Sequence, residues 1–467
     1  MKRSKHTHAT ARPHNRREWL RIGGLGCLGL SLPNLLAPRL SAASPSSLPA
    51  KSFGRAKSCI ILFLGGGPPQ HETFDPKPDA PIELRGDFKS IRTSVPGLNF
   101  CELLPDTARI AHKLTVIRSM TTGINAHAVS GYQMMTGRVH PAKVDRPVSP
   151  EDWPHIGSLV AALKPSQRSP LSAVTIPEPL VNNPGVAWPG QTGGFMGHSW
   201  DPRLFKCDPS APDFRIDELT LPDNVSLDRL ASRKGLIANL DSRLRKADKD
   251  GRLAGLETSR QQAFDMLSSS ATRRAFELDR ESPALRARYG PHKFGQSALL
   301  ARRLVEAGVR LVQVNFPREP GDLSSPNPLW DTHRKNTDRL KTNLCPPFDR
   351  AFPALVNDLD ERGLLDETLV VVMGEFGRSP KINTFGGRDH WGACFSIALA
   401  GAGLSGGNVI GASDRDGAYV KDRAVHASEL SATIFHFLGI DPAGMFYDRL
   451  NRPLPIAESR PISELIG

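Results

Sequence analysis

The residues best able to do chemistry cluster in one stretch, Val370 to Trp391, VVVMGEFGRSPKINTFGGRDHW. A short apolar, β-branched run ends at Gly374, and a carboxylate, Glu375, follows at once. Arg378 comes next, then Arg388, Asp389 and His390 in succession. Ligands of open α/β sheets bind just beyond the carboxyl ends of strands. Carboxylates, an imidazole and arginines at such an end suit a divalent cation together with an anionic substrate. Three other places repeat the theme. His71, Glu72 and Asp75 follow the apolar run Cys59 to Leu64 and three glycines. Asp331 and His333 stand two apart in WDTH, where they serve either as metal ligands or, for Asp331, as a helix cap. His127 precedes a short helical pattern that closes at Gly137. A helix N-terminus favours anions there. His155 and His198 are weaker candidates.

These residues need a scaffold of buried strands. Uncharged runs are expected as strands at Cys59–Leu64, Leu114–Ile117, Ala173–Ile176, Val309–Phe316, Leu369–Met373 and Phe395–Ala400. Helices are expected at 103–112, 156–163, 299–307, 348–362 and 427–438, so strands and helices alternate. That pattern predicts an α/β fold, a mostly parallel sheet covered by helices on both faces. Gly377–Pro380 and Gly386-Gly387 read as turns. Residues 139–225, rich in Pro, Gly, Trp and Asn, read as an irregular excursion that lines a pocket or caps the domain, and 226–306 as a charged helical insert with a solvated face.

The first 43 residues read as a targeting segment. Asn15-Arg16-Arg17-Glu18-Trp19-Leu20-Arg21 resembles a twin-arginine export motif, followed by a glycine-rich apolar run and small residues at Ser41-Ala42-Ala43. Residues 44–56 form a Ser/Pro/Ala linker. Removal of the segment changes the charge balance. The formal net charge is +12, but residues 1–40 hold eight Lys/Arg against a single acid, leaving about +5 for the remainder. No nucleic-acid module or membrane span is expected in the exported part, whose location would be periplasmic or extracellular. Six cysteines are scattered singly with no CxxC pair, which argues against a zinc-thiolate site and allows one or two disulfides.

Five pieces taken together, GGGPPQHETFDPKP, NAHAVSGYQMMTGR, WDTH, GEFGRSPKINTFGGRDHW and HASELSATIFHFLGID, resemble the alkaline phosphatase and sulfatase superfamily, and in particular its exported bacterial branch of domain of unknown function 1501. The resemblance implies a single such domain over 57–467 and one or two divalent metals at strand ends, zinc foremost, with calcium or manganese as alternatives. It implies Asp331, His333, Glu375, Asp389 and His390 as metal ligands, with Glu72 or Asp75 as the first-strand carboxylate. Counted back from Thr136-Gly137, the place of the usual nucleophile is held by His127, and no C-x-P-S-R or C-x-A-S-R signal occurs in the chain.

The expectation is a metal-dependent hydrolase of phosphate or sulfate esters that uses water in place of a side-chain nucleophile. His127 would act as ligand, base or covalent nucleophile, and Arg378 or Arg388 would grip the anion. The alternative is a non-catalytic protein that binds an anionic polysaccharide or a surface partner on the same fold.

Overall fold

In the computed structural model, the described residues are 51–142, 145–182, 186–216, 264–318, 329–448 and 450–466, with isolated positions between 219 and 261. The targeting segment and most of residues 226–263 lie outside them. Strand β1 (Ser58–Phe63) shows why the sheet forms. All six of its residues are buried, and period-two alternation splits them between two cores. Ile60 and Leu62 face one apolar cluster, while Cys59, Ile61 and Phe63 face the other. Burial of each large apolar side chain contributes about 1.5–3 kcal/mol. Fixing a residue's backbone costs about 1–2 kcal/mol, so the run stabilises itself only when covered on both sides.

The other strands of the main sheet and of the hairpin beside the site are β2 (Leu114–Thr121), β3 (Ala173–Ile176), β4 (Arg203–Leu204), β5 (Leu311–Asn315), β6 (Thr368–Met373), β7 (Gly377–Ile382), β8 (Arg388–Trp391), β9 (Phe395–Gly401), β10 (Asn408–Ile410) and β11 (Val425–His426). The main sheet runs β10-β2-β9-β6-β1-β5-β3-β4, with β11 also on β2. It is mostly parallel, and β9 alone runs antiparallel to both of its neighbours. Helices α1 (His127–Thr136), α2 (Ile156–Leu163) and α5 (Ala427–Phe437) pack on one face. Helices α3 (Lys293–Glu306) and α4 (Cys345–Glu361) pack on the other. No helix among the described residues is long and apolar enough to cross a membrane.

Two sequence expectations change. Gly377–Pro380 is not a turn, because β7 pairs with β8 as a hairpin: Gly377 opposes Trp391, Arg378 opposes His390 and Ile382 opposes Arg388. Glycine and proline hid the strand, and the register shifts between Arg378 and Ile382, the interval that holds Pro380. No disulfide joins the five described cysteines, so none of the one or two disulfides that the sequence allows forms among them.

β1 and β6 end level, Phe63 opposite Met373, so their following loops leave one edge of the sheet together. Gly66 (φ 107°) lies against the segment after β5, and a Cβ there would come within 2.4 Å of the Asp331 nitrogen. This close approach is why glycine stands at that position.

His155, a weak site candidate, is structural. Its Nδ1 accepts from the Gly157 N–H at 2.8 Å, capping α2, and its Nε2 donates to Gln313 Oε1 at 2.9 Å. Burial lowers its pKa to about 4, although the Gln313 contact opposes that shift. The unfolded value is about 6.5, so the unfolded chain binds the extra proton between those two values. Stability from this residue is therefore full above pH 6.5 and falls as pH drops towards 4, by on the order of 3 kcal/mol. His155→Asn keeps a capping oxygen, and should flatten that part of the melting temperature–pH profile while leaving the neutral-pH value within a few degrees. An unchanged acid slope would show that His155 does not titrate this way.

Candidate metal centre

Four loops meet beyond the ends of β1, β5 and β6. Asp331 is their hub. His390 Nε2 lies 3.1 Å from Asp331 Oδ1, His333 Nε2 lies 3.2 Å from the same oxygen, and His127 Nε2 lies 3.3 Å from Oδ2. The two imidazole nitrogens of His333 and His390 are 2.8 Å apart. Donor atoms of His127, Asp331 and His390 all fall within 4.8 Å of one another.

The far nitrogen of each ring is tied off. His127 Nδ1 meets Glu375 Oε1 at 2.6 Å, His333 Nδ1 meets Asp389 Oδ1 at 2.7 Å, and His390 Nδ1 meets the Asn125 carbonyl at 2.7 Å. Each acceptor favours a proton on Nδ1 and turns Nε2 towards Asp331, where it can serve as a ligand atom once it carries no proton. Metal-binding histidines are oriented in this way. Glu375 is itself held: it is fully buried, and Oε1 accepts from the Gly66 N–H at 2.9 Å. Donors bonded at about 2.0–2.2 Å to one tetrahedral ion lie about 3.3–3.6 Å apart, close to the 3.1–3.3 Å spacings around Asp331.

Of the residues expected as ligands, the structure brings Asp331, His333 and His390 together with His127. Glu375 and Asp389 join them as the partners of ring nitrogens. Glu72 and Asp75 go elsewhere. Glu72 Oε1 accepts from Arg388 Nε at 2.9 Å and Nη2 at 2.6 Å inside the protein. Asp75 pairs with Lys77 at 3.0 Å and Arg118 at 3.4 Å and accepts from Ser413. The glycines after β1 leave no first-strand carboxylate nearer the hub.

The two arginines expected to grip an anion are both fully buried. Arg388 is spent on Glu72 and on the carbonyls of Ser379, Pro380 and Leu84. Arg378 donates to Asp331 Oδ1 and to the carbonyls of Gly66, Gly67 and Arg388. The N-terminus of α1 is taken as well, since Asp145 accepts from the Ala128 N–H at 3.1 Å. His71 bonds the Asp416 carbonyl, and His198 lies exposed beside Asp201.

Sequence reasoning missed the aromatic wall. Trp188 stacks on His127 with ring centroids 5.7 Å apart, and Phe376 packs on both His127 and His390. Trp188 comes from the irregular excursion, where it is fixed by Asn182 Oδ1 at 2.6 Å, and Asn182 is fixed in turn by Asp145 Oδ2 at 2.9 Å. No spacing in the sequence marks this residue.

Charge at the hub is strongly coupled. Burial opposes ionisation of Asp331, but the Arg378 guanidinium and the imidazoles of His127 and His390 outweigh it and hold the carboxyl well below its usual range. Burial likewise opposes charge on His127, yet Asp331 and Glu375 raise it to about 9. His390 is lowered, chiefly by burial. The metal-free protein at neutral pH therefore carries an imidazolium at His127 between two carboxylates.

A metal must displace that proton. Apparent zinc affinity should rise about tenfold per pH unit from pH 6.5 towards 9 and then level off, which competition with a chromophoric chelator will measure; a flat profile would exclude a metal-displaced proton on His127. His127→Ala strips a partner from two buried carboxylates, so it should also destabilise the metal-free protein, by on the order of 3 kcal/mol. His127→Gln, which can still donate to Glu375, should spare most of that stability while losing the metal.

The chain matches, over residues 56–466, the model of a family described as protein of unknown function (DUF1501). No curated protein matches it significantly. Among solved structures it is similar to a phosphonate monoester hydrolase from Silicibacter pomeroyi, with 14% identity, a TM-score of 0.37, and coverage of 83% of this chain and 74% of that one. It is also similar to a sulfatase from Pseudoalteromonas sp., with 13% identity, a TM-score of 0.37, and coverage of 92% and 72%. A third is an alkaline phosphatase superfamily protein from Vibrio parahaemolyticus, with 11% identity, a TM-score of 0.35, and coverage of 84% and 68%. With its match spanning nearly all of the described residues, the chain belongs to the DUF1501 family.

Proposed function

We propose that the protein is an exported, metal-dependent hydrolase of phosphate or sulfate esters. The observation that carries this reading is the convergence of the His127 and His390 Nε2 atoms on an ionised Asp331, with His333 Nε2 beside them. An imidazole-rich donor set favours zinc over calcium or manganese. A bound ion would polarise the ester and lower the pKa of a water towards about 7. The chain supplies the rest. His127, His333 and His390 present neutral nitrogens once His127 has given up its proton. Glu375 and Asp389 hold the rings, and Trp188 and Phe376 wall off solvent on one side. Ser130, the hydroxyl on α1 nearest Glu375, donates to the Glu375 carbonyl at 2.5 Å and meets Thr122 at 2.7 Å, so it is not free to attack an ester. The substrate class rests on the motif resemblance, and export rests on Arg16-Arg17 and the apolar run that follows.

The competing reading is a non-catalytic binder of an anionic polysaccharide. It gains from the sealing of Arg378 and Arg388 inside the protein, which removes the expected grip on an anion. The two readings separate on turnover. Zinc- or manganese-loaded protein should hydrolyse an aryl phosphate, phosphodiester or aryl sulfate, and His127→Gln should reduce kcat at least 100-fold. Full metal occupancy with no turnover on any of these esters, together with retention on an anionic-polysaccharide column, would favour the binder. Replacing Arg16 and Arg17 with lysine should leave the protein in the cytoplasm, which fractionation will read.

A further inference from the structure

The partners of Arg378 form an all-oxygen cage. Its guanidinium is enclosed by the carbonyls of Gly66, Gly67 and Arg388 and by Asp331 Oδ1. Three carbonyls and a carboxylate are the donors of a hard-cation site. Here a covalently attached cation fills it, with the side chain wholly buried and on the same carboxylate that the three imidazoles surround. Asp331 is thus shared: Oδ1 accepts from the guanidinium and also lies 3.1 Å from His390 Nε2 and 3.2 Å from His333 Nε2, while Oδ2 faces His127 Nε2. A second divalent ion would find its oxygens taken. The two remaining carboxylates nearby, Glu375 and Asp389, are engaged by His127 and His333 through one oxygen each, and the buried Glu375 Oε2 has no hydrogen-bond partner among the described residues.

We propose that this centre takes a single divalent ion, on the imidazoles of His127 and His390 and the carboxylate of Asp331, with His333 packed beside them, and that the Arg378 guanidinium permanently occupies the neighbouring cation position. The inference rests on the metal-centre reading above and fixes the number of ions and the identity of the second charge. Asp331 then bridges an exchangeable cation and a fixed one. Chelation can remove the first but never the second, so the protein stripped of metal keeps a cation on Asp331 and the β1 loop joined to the hairpin.

The test is a count. Metal-free full-length protein is dialysed against zinc or manganese from micromolar to millimolar, and bound metal is measured by elemental analysis. The expected saturation is one ion per chain, with no second step. Two ions would overturn the inference while leaving the metal-centre reading intact; none would remove that reading itself. Arg378→Gln opens the oxygen cage. Folded by circular dichroism, it should bind a second ion. A folded variant that still saturates at one would show that the guanidinium is not what excludes the second. Should this variant fail to fold, the wild-type count still decides.

Discussion

The centre depends on keeping one carboxylate ionised inside the protein. A buried carboxylate without compensation would take up a proton. Asp331 escapes because Arg378 lies on Oδ1, beside the imidazoles of His333 and His390, and because His127 meets Oδ2. Arg378 in turn needs acceptors for its other donors, and these are backbone carbonyls of the β1 loop and the hairpin. The requirement thus spreads outward: glycine is needed where the loop passes close to Asp331, and β7 must pair with β8 so that Arg378 and His390 stand opposite each other. A second buried pair, Glu72 with Arg388, anchors the same hairpin to the chain after β1.

The sheet was legible because its signal is local. Runs such as Ile60–Leu64 and Val370–Met373 carry no charge, and their lengths suit strands buried on both faces. Helix α2 matches its expected bounds, because a histidine cap and an apolar stripe mark both ends. The direction of β9 was not legible, since an apolar run says nothing about which way it crosses the sheet. The hairpin was missed because its strand residues are those that usually break strands.

At the site, residue type was informative and role was not. The sequence marks Glu375, Asp389, Arg378 and Arg388 as charged groups at a strand end, but whether a charge meets solvent or another side chain is decided by packing. Arg388 meets Glu72, 316 residues away, which no spacing could reveal. Glu375 and Asp389 stand behind imidazoles for the same reason. Trp188 had no signal at all, since one tryptophan in a proline- and glycine-rich stretch resembles any other.

The Gly66–Glu375 hydrogen bond joins residues 309 positions apart, and the Arg378–Gly67 bond spans 311. Contacts of such range form late, because the loop they close must be ordered first. A chain still emerging from the ribosome has β1 long before it has β6 or the hairpin. During that interval the apolar β1 has neither parallel neighbour, and its edges are open to wrong partners. The centre is therefore a record of completed folding: an ion held there reports that the first and last thirds of the chain have already met.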